Sequence, residues 1–434
     1  MVFVRCDRVR VKAVLAAAVL LGSLATAGCA GGDGPLATDA PGVTREPCPR
    51  AIDKDRGCIY LGSISDLSTG PFTSLGVAVT QAQRAFWARV NREGGIGGYE
   101  IDVTTHVRDN HYDVQTHARA FREIKGKVLA LAQTLGSPQT DAILGELRAE
   151  RMIALPLSFV SRWEFEDGIL ESGASYCVEG MNGVDYAVQR FGAKSVMAVH
   201  YTGDYGDDAA AGAEIAAARH GITLVNVPTG QGAQAQDAAV QKILAQKPDL
   251  VFLTMGPADT AVIVGKTVDA GFKGRFVGSN PSWDESLLST PAASALKARF
   301  LQVAPWKPYA YDSPGHSAMR RAIGTRVKPN NSFTSGWVIS YPLKAVLERA
   351  VANKDLTREG LLRAVRQITH VDYEGILPKE AGNSAGTPNQ SAFRQSVIGR
   401  PDDHQFTGIK VLTDFEAGPT VRAHRFDAPC AAAK

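Results

Sequence analysis

Between residues 57 and 280 the chain alternates two hydrophobic patterns, and this alternation limits the possible folds more than any other feature. Short apolar runs stand at 58–64, 99–107, 128–131, 152–155, 195–200, 222–227, 250–254 and 275–278. Between most of them lie stretches whose apolar residues recur at helical spacing. Leu75, Ala78, Val79, Ala82, Ala85, Phe86 and Val90 form one such stripe, closed by Gly94 and Gly95. Others run over 113–125, 140–151, 207–220 and 235–247. A short apolar run fits a strand buried on both faces, and a 3.6-residue period fits a helix covering it. Strands alternating with helices build βαβ units and parallel sheets. About eight strands are too many for one small sheet, so two doubly wound α/β lobes are expected. A long helix over 336–352 and an irregular stretch over 382–389 complete the pattern.

Ahead of this region, Arg5, Arg8, Arg10 and Lys12 precede an apolar run over 13–27 that ends in Thr26-Ala27-Gly28-Cys29. A basic front, a short apolar segment and small residues before a cut site describe a secretory leader. Cysteine directly after that site predicts a bacterial lipoprotein signal over 1–28, with Cys29 acylated as the mature N-terminus. Two or more acyl chains would anchor the product to the extracytoplasmic face of the cell membrane. The competing reading is a plain leader cleaved nearby, with Cys29 left free. Residues 29–56, rich in Gly, Pro, Ala and Thr at their start, read as a stalk.

Loss of 1–28 removes four basic residues and one acidic residue, leaving 43 of each and no net charge. A neutral mature chain has no electrostatic footprint for nucleic acid. Beyond Cys6 and Cys29, four cysteines remain in an oxidising compartment: Cys48, Cys58, Cys177 and Cys430. Cys48 and Cys58 flank a short polar segment and are paired here, which leaves Cys177 with Cys430. Four cysteines allow three connectivities, and four free thiols are the remaining alternative. No zinc-site spacing, Walker loop, GxGxxG, GxSxG or HExxH occurs, so no metal and no cofactor is expected. The glycine-rich run 94–98 follows a helix and precedes a strand, the wrong order for a phosphate cradle. His106, His111 and His117 do not share one helix face and are expected to be solvated, as are the pairs Asp207-Asp208 and Asp402-Asp403.

Ile64-Ser65-Asp66-Leu67-Ser68-Thr69-Gly70-Pro71, then Gly76 and a helix closing at Asn91-Arg92-Glu93-Gly94-Gly95-Ile96, resemble the opening of type 1 periplasmic binding proteins. The likeness is to the leucine/isoleucine/valine-binding family of ABC transporter substrate-binding lipoproteins. It continues through Gly136-Ser137, Asp204-Tyr205-Gly206, 248–252, Gly271-Phe272 and 276–278. The resemblance implies two lobes joined by a three-segment hinge, with crossings near Tyr176, Pro305 and Tyr373. The first lobe would hold 57–175 and 306–373, the second 176–305 and 374–430. Ligand would be captured in the cleft by hinge closure, without catalysis.

The same resemblance implies the site residues. The family's carboxylate-binding serine falls on Ser137, with the Thr140 amide beside it; the alternative for Ser137 is a simple N-cap. Ser158 and Phe159 lie at the next strand end, followed by Val160 and Ser161. Tyr205 takes the place of an aromatic against the solute, with a packed core tyrosine as its alternative. Gly256 and Asn280 belong to the strand ends of the second wall, and Trp283, Trp306 and Tyr309 are candidate lining. Asn280 stands where amino-acid receptors carry an acid for the ammonium, and Val160 where they carry threonine. A buried ammonium without a carboxylate partner costs several kcal/mol. An amide, a carboxylate lacking the amine or an aromatic acid therefore fits better than a free α-amino acid.

The expected function is capture of a small polar metabolite and delivery to an ABC permease and ATPase, by a monomer tethered through its lipid. A ligand-sensing domain working with a separate signalling partner is the second reading, and an exported enzyme the third.

Overall fold

A computed structural model of the protein describes residues 39–431 apart from 326, 327 and 329. The leader over 1–28, Cys29 and residues 30–38 of the expected stalk lie outside the described residues. The described chain forms two α/β lobes. In the first, strands β1 (Val43–Thr44), β2 (Gly57–Ser65), β3 (Tyr99–Asp109), β4 (Ala130–Thr134) and β5 (Ala154–Pro156) alternate with helices α1 (Thr73–Arg92), α2 (Val114–Ile124) and α3 (Ser137–Ala149). The strand order is β1-β2-β4-β5, with β3 also beside β2, and every pairing is parallel except that of β1. Cys58, Ile59, Leu61 and Ile64 of β2 are fully buried, as a strand covered on both faces must be.

The second lobe opens with α4 (Tyr176–Phe191) and continues β6 (Val196–Tyr201), α5 (Tyr205–Arg219), β7 (Leu224–Thr229), α6 (Asp237–Gln246), β8 (Leu250–Thr254), α7 (Pro257–Asp269), β9 (Arg275–Gly278), α8 (Ala293–Arg299) and β10 (Phe300–Ala304). The chain then returns to the first lobe as α9 (Pro314–Ile323), α10 (Ser332–Val338), α11 (Ser340–Ala352) and α12 (Arg358–Val365), where α9, α10 and α11 pack on α1. It rejoins the second lobe as β11 (Val397–Pro401), β12 (Ile409–Val411) and α13 (Pro419–Ala423), the last lying on α4. The chain thus crosses between lobes three times. The second sheet runs β12-β11-β10-β9-β8-β6-β7, with β11 and β12 added antiparallel at one edge.

Several local expectations change on contact with tertiary structure. Residues 39–56 do not continue a stalk. β1 pairs with β2, and Gly42 crosses so near Val128 and Leu129 that a Cβ would lie 2.3 Å from the Leu129 nitrogen. The helix expected over 336–352 is two helices meeting at Ile339, because Pro342 has no N–H for the Val338 carbonyl. His117 is fully buried rather than solvated. Asn110 Nδ2 donates to its Nδ1 at 3.0 Å, and its Nε2 lies 3.0 Å from the Thr134 hydroxyl. Burial pushes this imidazole down to about 3, so it is neutral at neutral pH. Asp208 is also buried, and accepts from the Ser161 and Cys177 N–H groups at 2.9 and 3.0 Å.

Two disulfides are present, Cys48–Cys58 and Cys177–Cys430. The second fixes the C-terminal tail to the first crossing, where the Cys430 N–H also donates to the Ser161 hydroxyl at 2.8 Å.

Candidate ligand-binding cleft

The parallel strands of both lobes present their carboxyl ends to one cleft, the usual ligand position of open α/β sheets. Its wall takes Phe72 and Leu75 from beyond β2, Tyr112 from beyond β3, Leu135 and Gly136 from beyond β4, and Leu157, Ser158 and Phe159 from beyond β5. Ser335 of α10 and Tyr176 of α4 complete the first side, and Tyr205, Asn280 and Pro281 face them from the second lobe. The side chains leave only about 20 Å3 free between them, room for about one water, so the lobes are closed on this space.

Aromatic rings run around it in a continuous chain. Tyr112 and Phe72 have centroids 5.0 Å apart, Phe72 and Tyr205 6.0 Å, Tyr205 and Tyr176 4.7 Å, Tyr176 and Phe159 6.0 Å, and Phe159 and Trp306 5.4 Å. Tyr112 reaches its place through backbone strain. It and His111 have φ of 57° and 51°, a region that costs a non-glycine residue on the order of 1 kcal/mol or more. Hydrogen bonds from the His111 and Tyr112 N–H groups to the Asp109 and Asn110 side chains, each 2.9 Å, hold the turn. Gly136 has a positive φ of 103°, which residues with a Cβ rarely adopt, and a Cβ there would also lie 1.8 Å from Gln139 Oε1.

None of the lining residues is cationic. The Tyr112 hydroxyl donates to Asp204 Oδ2 across the lobes at 2.5 Å, while the Tyr205 N–H donates to Oδ1 at 2.6 Å. Burial raises the Asp204 carboxyl, against the opposing effects of Tyr112, the Tyr205 N–H and Ser137. Burial also holds Glu179, behind Asn280, well above the usual carboxylate range, although its Oε2 accepts from the Asn280 N–H at 2.9 Å. The buried Ser137 Oγ and Tyr205 hydroxyl have no partner at normal hydrogen-bond distance. The cleft therefore offers an apolar wall, two loosely held hydroxyls (Ser137 facing Asp204, Tyr205 facing Ser279) and no fixed positive charge.

Ser158, Phe159, Tyr205 and Asn280 line this space, and Ser137 follows its neighbour Gly136 at the start of α3. Gly256 caps α7 at the mouth, where a Cβ would sit 3.4 Å from the Pro71 carbonyl of the facing lobe. Thr140 stands back from the wall. Its N–H is spent on the Gly136 carbonyl at 3.0 Å, and its hydroxyl is 3.0 Å from that of Thr134, in the polar chain that ends at His117. Trp306 backs Phe159 from behind, Trp283 stacks on Phe300 at 5.9 Å, and Tyr309 packs near Phe333. Sequence reasoning missed Phe72, Leu75, Tyr112, Leu157 and Pro281. Each lies within ten residues after a parallel strand, and that position was the available signal.

The sequence profile described as "Periplasmic binding protein" matches residues 59–403. No curated protein sequence matches the chain. Among solved structures, a fatty acid ABC transporter substrate-binding protein from Thermomonospora curvata is 27% identical, with TM-score 0.81 over 89% of this chain and 96% of that one. A branched chain amino acid ABC transporter from Thermus thermophilus with bound valine is 17% identical, with TM-score 0.74 over 85% and 98%. An ABC transporter substrate-binding protein from Aeropyrum pernix is 16% identical, with TM-score 0.74 over 84% and 98%. The last two likenesses concern the fold alone. With the profile spanning both lobes and the cleft between them, the chain belongs to the periplasmic binding protein family.

Proposed function

We propose that the protein captures a small amphipathic carboxylic acid of fatty-acid type and hands it to an ABC permease and ATPase. Its role is solute binding and delivery outside the cytoplasm, without catalysis. The observation that carries the ligand class is the wall itself: Phe72, Leu75, Leu135, Leu157, Phe159 and Pro281 with three tyrosines, and no cation. Burying hydrocarbon against such a wall contributes about 25 cal/mol per Å2. A free ammonium would have to compete for Asp204, whose oxygens accept from the Tyr112 hydroxyl and the Tyr205 N–H and whose carboxyl burial already pushes toward its neutral form. The loosely held Ser137 and Tyr205 hydroxyls suit a carboxyl end, which would share a proton with the raised Asp204 carboxyl or bind neutral. The 27% identical relative described as a fatty acid substrate-binding protein supports the same class.

Closure of the lobes as a monomer, and tethering through an acylated Cys29 after export, belong to the same proposal. The test is a thermal-shift panel of octanoate, octanamide, octanol, leucine and benzoate. Ligand at a thousand times its Kd adds about 4 kcal/mol of stability. Octanoate is expected to shift the transition most, and Ser137→Ala to weaken that shift by about tenfold in affinity. Stabilisation by leucine with none by octanoate would overturn the reading.

A further inference from the structure

A second recess lies between residues 163–173, helix α11 and the segment 381–393. It holds about 120 Å3 and is open to solvent at its mouth. Its floor is hydrocarbon, from Leu170, Val346, Val365, Val371 and Phe393 among others, and it is bordered by the irregular segment 381–393. That segment is held in place: the Ser384 N–H donates to the Ile368 carbonyl at 2.9 Å, and Asn389 Nδ2 to the Phe426 carbonyl at 2.6 Å. At one end of the recess stand two acids, Glu164 and Glu171.

Charge here is out of balance. Arg394 is bound to Glu164 Oε2 at 2.9 Å and lies over the Phe426 ring at 4.1 Å, with only its Nε left without a partner. The other rim charges pair among themselves, Glu166 with Arg148 and Asp167 with Arg366. The Glu164 side chain is 3% exposed and its carboxyl, besides Arg394, is met only by the Ser175 hydroxyl, beyond normal hydrogen-bond distance of Oε1; Glu171 Oε1 is buried without a partner. Burial, with the nearby charges of Glu164 and Asp208, holds the Glu171 carboxyl well above its ordinary range, and only Arg394 opposes this. A buried unpaired acceptor costs about 1–3 kcal/mol, more when charged. A cation entering the recess would relieve it.

We propose that this recess is a second ligand site, taking an amphipathic organic ammonium whose charge meets Glu171 and Glu164 while its hydrocarbon lies on the Leu170–Val346–Val371 floor. Entry of the cation favours ionised Glu171, so binding releases a proton to solvent. The site also borders the crossings: Gly173 in its wall stands just before the first and packs against Pro305 at the second, where a Cβ would lie 2.7 Å away, and 381–393 follows the third.

The test is titration calorimetry of the whole protein with hexylammonium and hexanol as probes. Hexylammonium is expected to bind at least about tenfold more tightly than hexanol, with a heat that changes with the ionisation enthalpy of the buffer. Glu171→Gln should weaken hexylammonium by about tenfold or more, while Ser137→Ala, in the other cleft, should leave it within about twofold. Equal binding of hexanol, a buffer-independent heat, no binding at millimolar hexylammonium, or loss on Ser137→Ala instead would each overturn the proposal. The buffer comparison needs no variant, so misfolding of Glu171→Gln would not shield it.

Discussion

Tyr112→Phe isolates the contact that holds the two lobes together over the cleft. The Tyr112 hydroxyl belongs to the first lobe and Asp204 to the second, and their 2.5 Å hydrogen bond exists only when the lobes meet. Phenylalanine keeps the ring against Phe72, 5.0 Å away, and deletes only this bond. A hydrogen bond to a charged group contributes about 1.5–3 kcal/mol net, and about 1.4 kcal/mol is a factor of ten. If the open form dominates without ligand, the whole loss appears in the apparent affinity, because only the closed form binds tightly. Kd for octanoate should therefore rise by about 10- to 100-fold, mostly through faster release. Stopped-flow release rates and equilibrium titration measure the two parts. A variant with Kd and release rate within about twofold of the native protein would refute the reasoning, since closure would then not depend on this contact.

Removing Cys177–Cys430 should cost more stability than removing Cys48–Cys58, because the bridges span 253 and 10 residues. Loop-closure entropy gives upper bounds of roughly 5 and roughly 3 kcal/mol, and urea unfolding of the paired serine variants checks the order. Gly212→Ala would put a Cβ 2.0 Å from the Cys177 carbonyl where α4 and α5 cross, and should destabilise by about 1–3 kcal/mol. Gly145→Ala, in α3 with nothing within 4 Å, should instead stabilise by roughly 1 kcal/mol. Asp208 supplies a pH dependence: burial, against hydrogen bonds from Ser161 and Cys177, pushes its carboxyl from 3.8 up to about 6. The folded chain thus keeps this proton longer than the unfolded one. The resulting stability is full below 3.8 and is lost as pH rises through about 6, some ~3 kcal/mol in all. Urea midpoints should fall over that window and Asp208→Asn should flatten the fall; an unchanged slope in the variant would contradict the assignment.

The alternation of strand and helix was legible because burial on both faces leaves continuous apolar runs. β2, β4, β6, β8 and β9 all stand within a few residues of the runs read from sequence. β1, β10, β11 and β12 were not; β1 and β12 are edge strands that gain order from a neighbour, and β1, two residues long, forms only against Ile59 and Cys58. His117 and Asp208 show the same limit, since one polar side chain looks solvated until the chain folds its partners around it. The cleft was legible in outline: Ser158, Phe159, Tyr205 and Asn280 fall on its wall. Its chemistry was not. Phe72 and Tyr112 come from loops, and Leu75 from the first turn of α1, all more than 60 residues before Tyr176, and only the assembled lobes join them into an apolar ring.

A calorimetric series of straight-chain carboxylates from butanoate to decanoate tests the apolar cleft most directly. Each buried methylene contributes about 0.8 kcal/mol, so Kd should fall about fourfold per carbon until the cleft is filled and then level off. An affinity independent of chain length, or leucine binding more tightly than every acid in the series, would contradict the account.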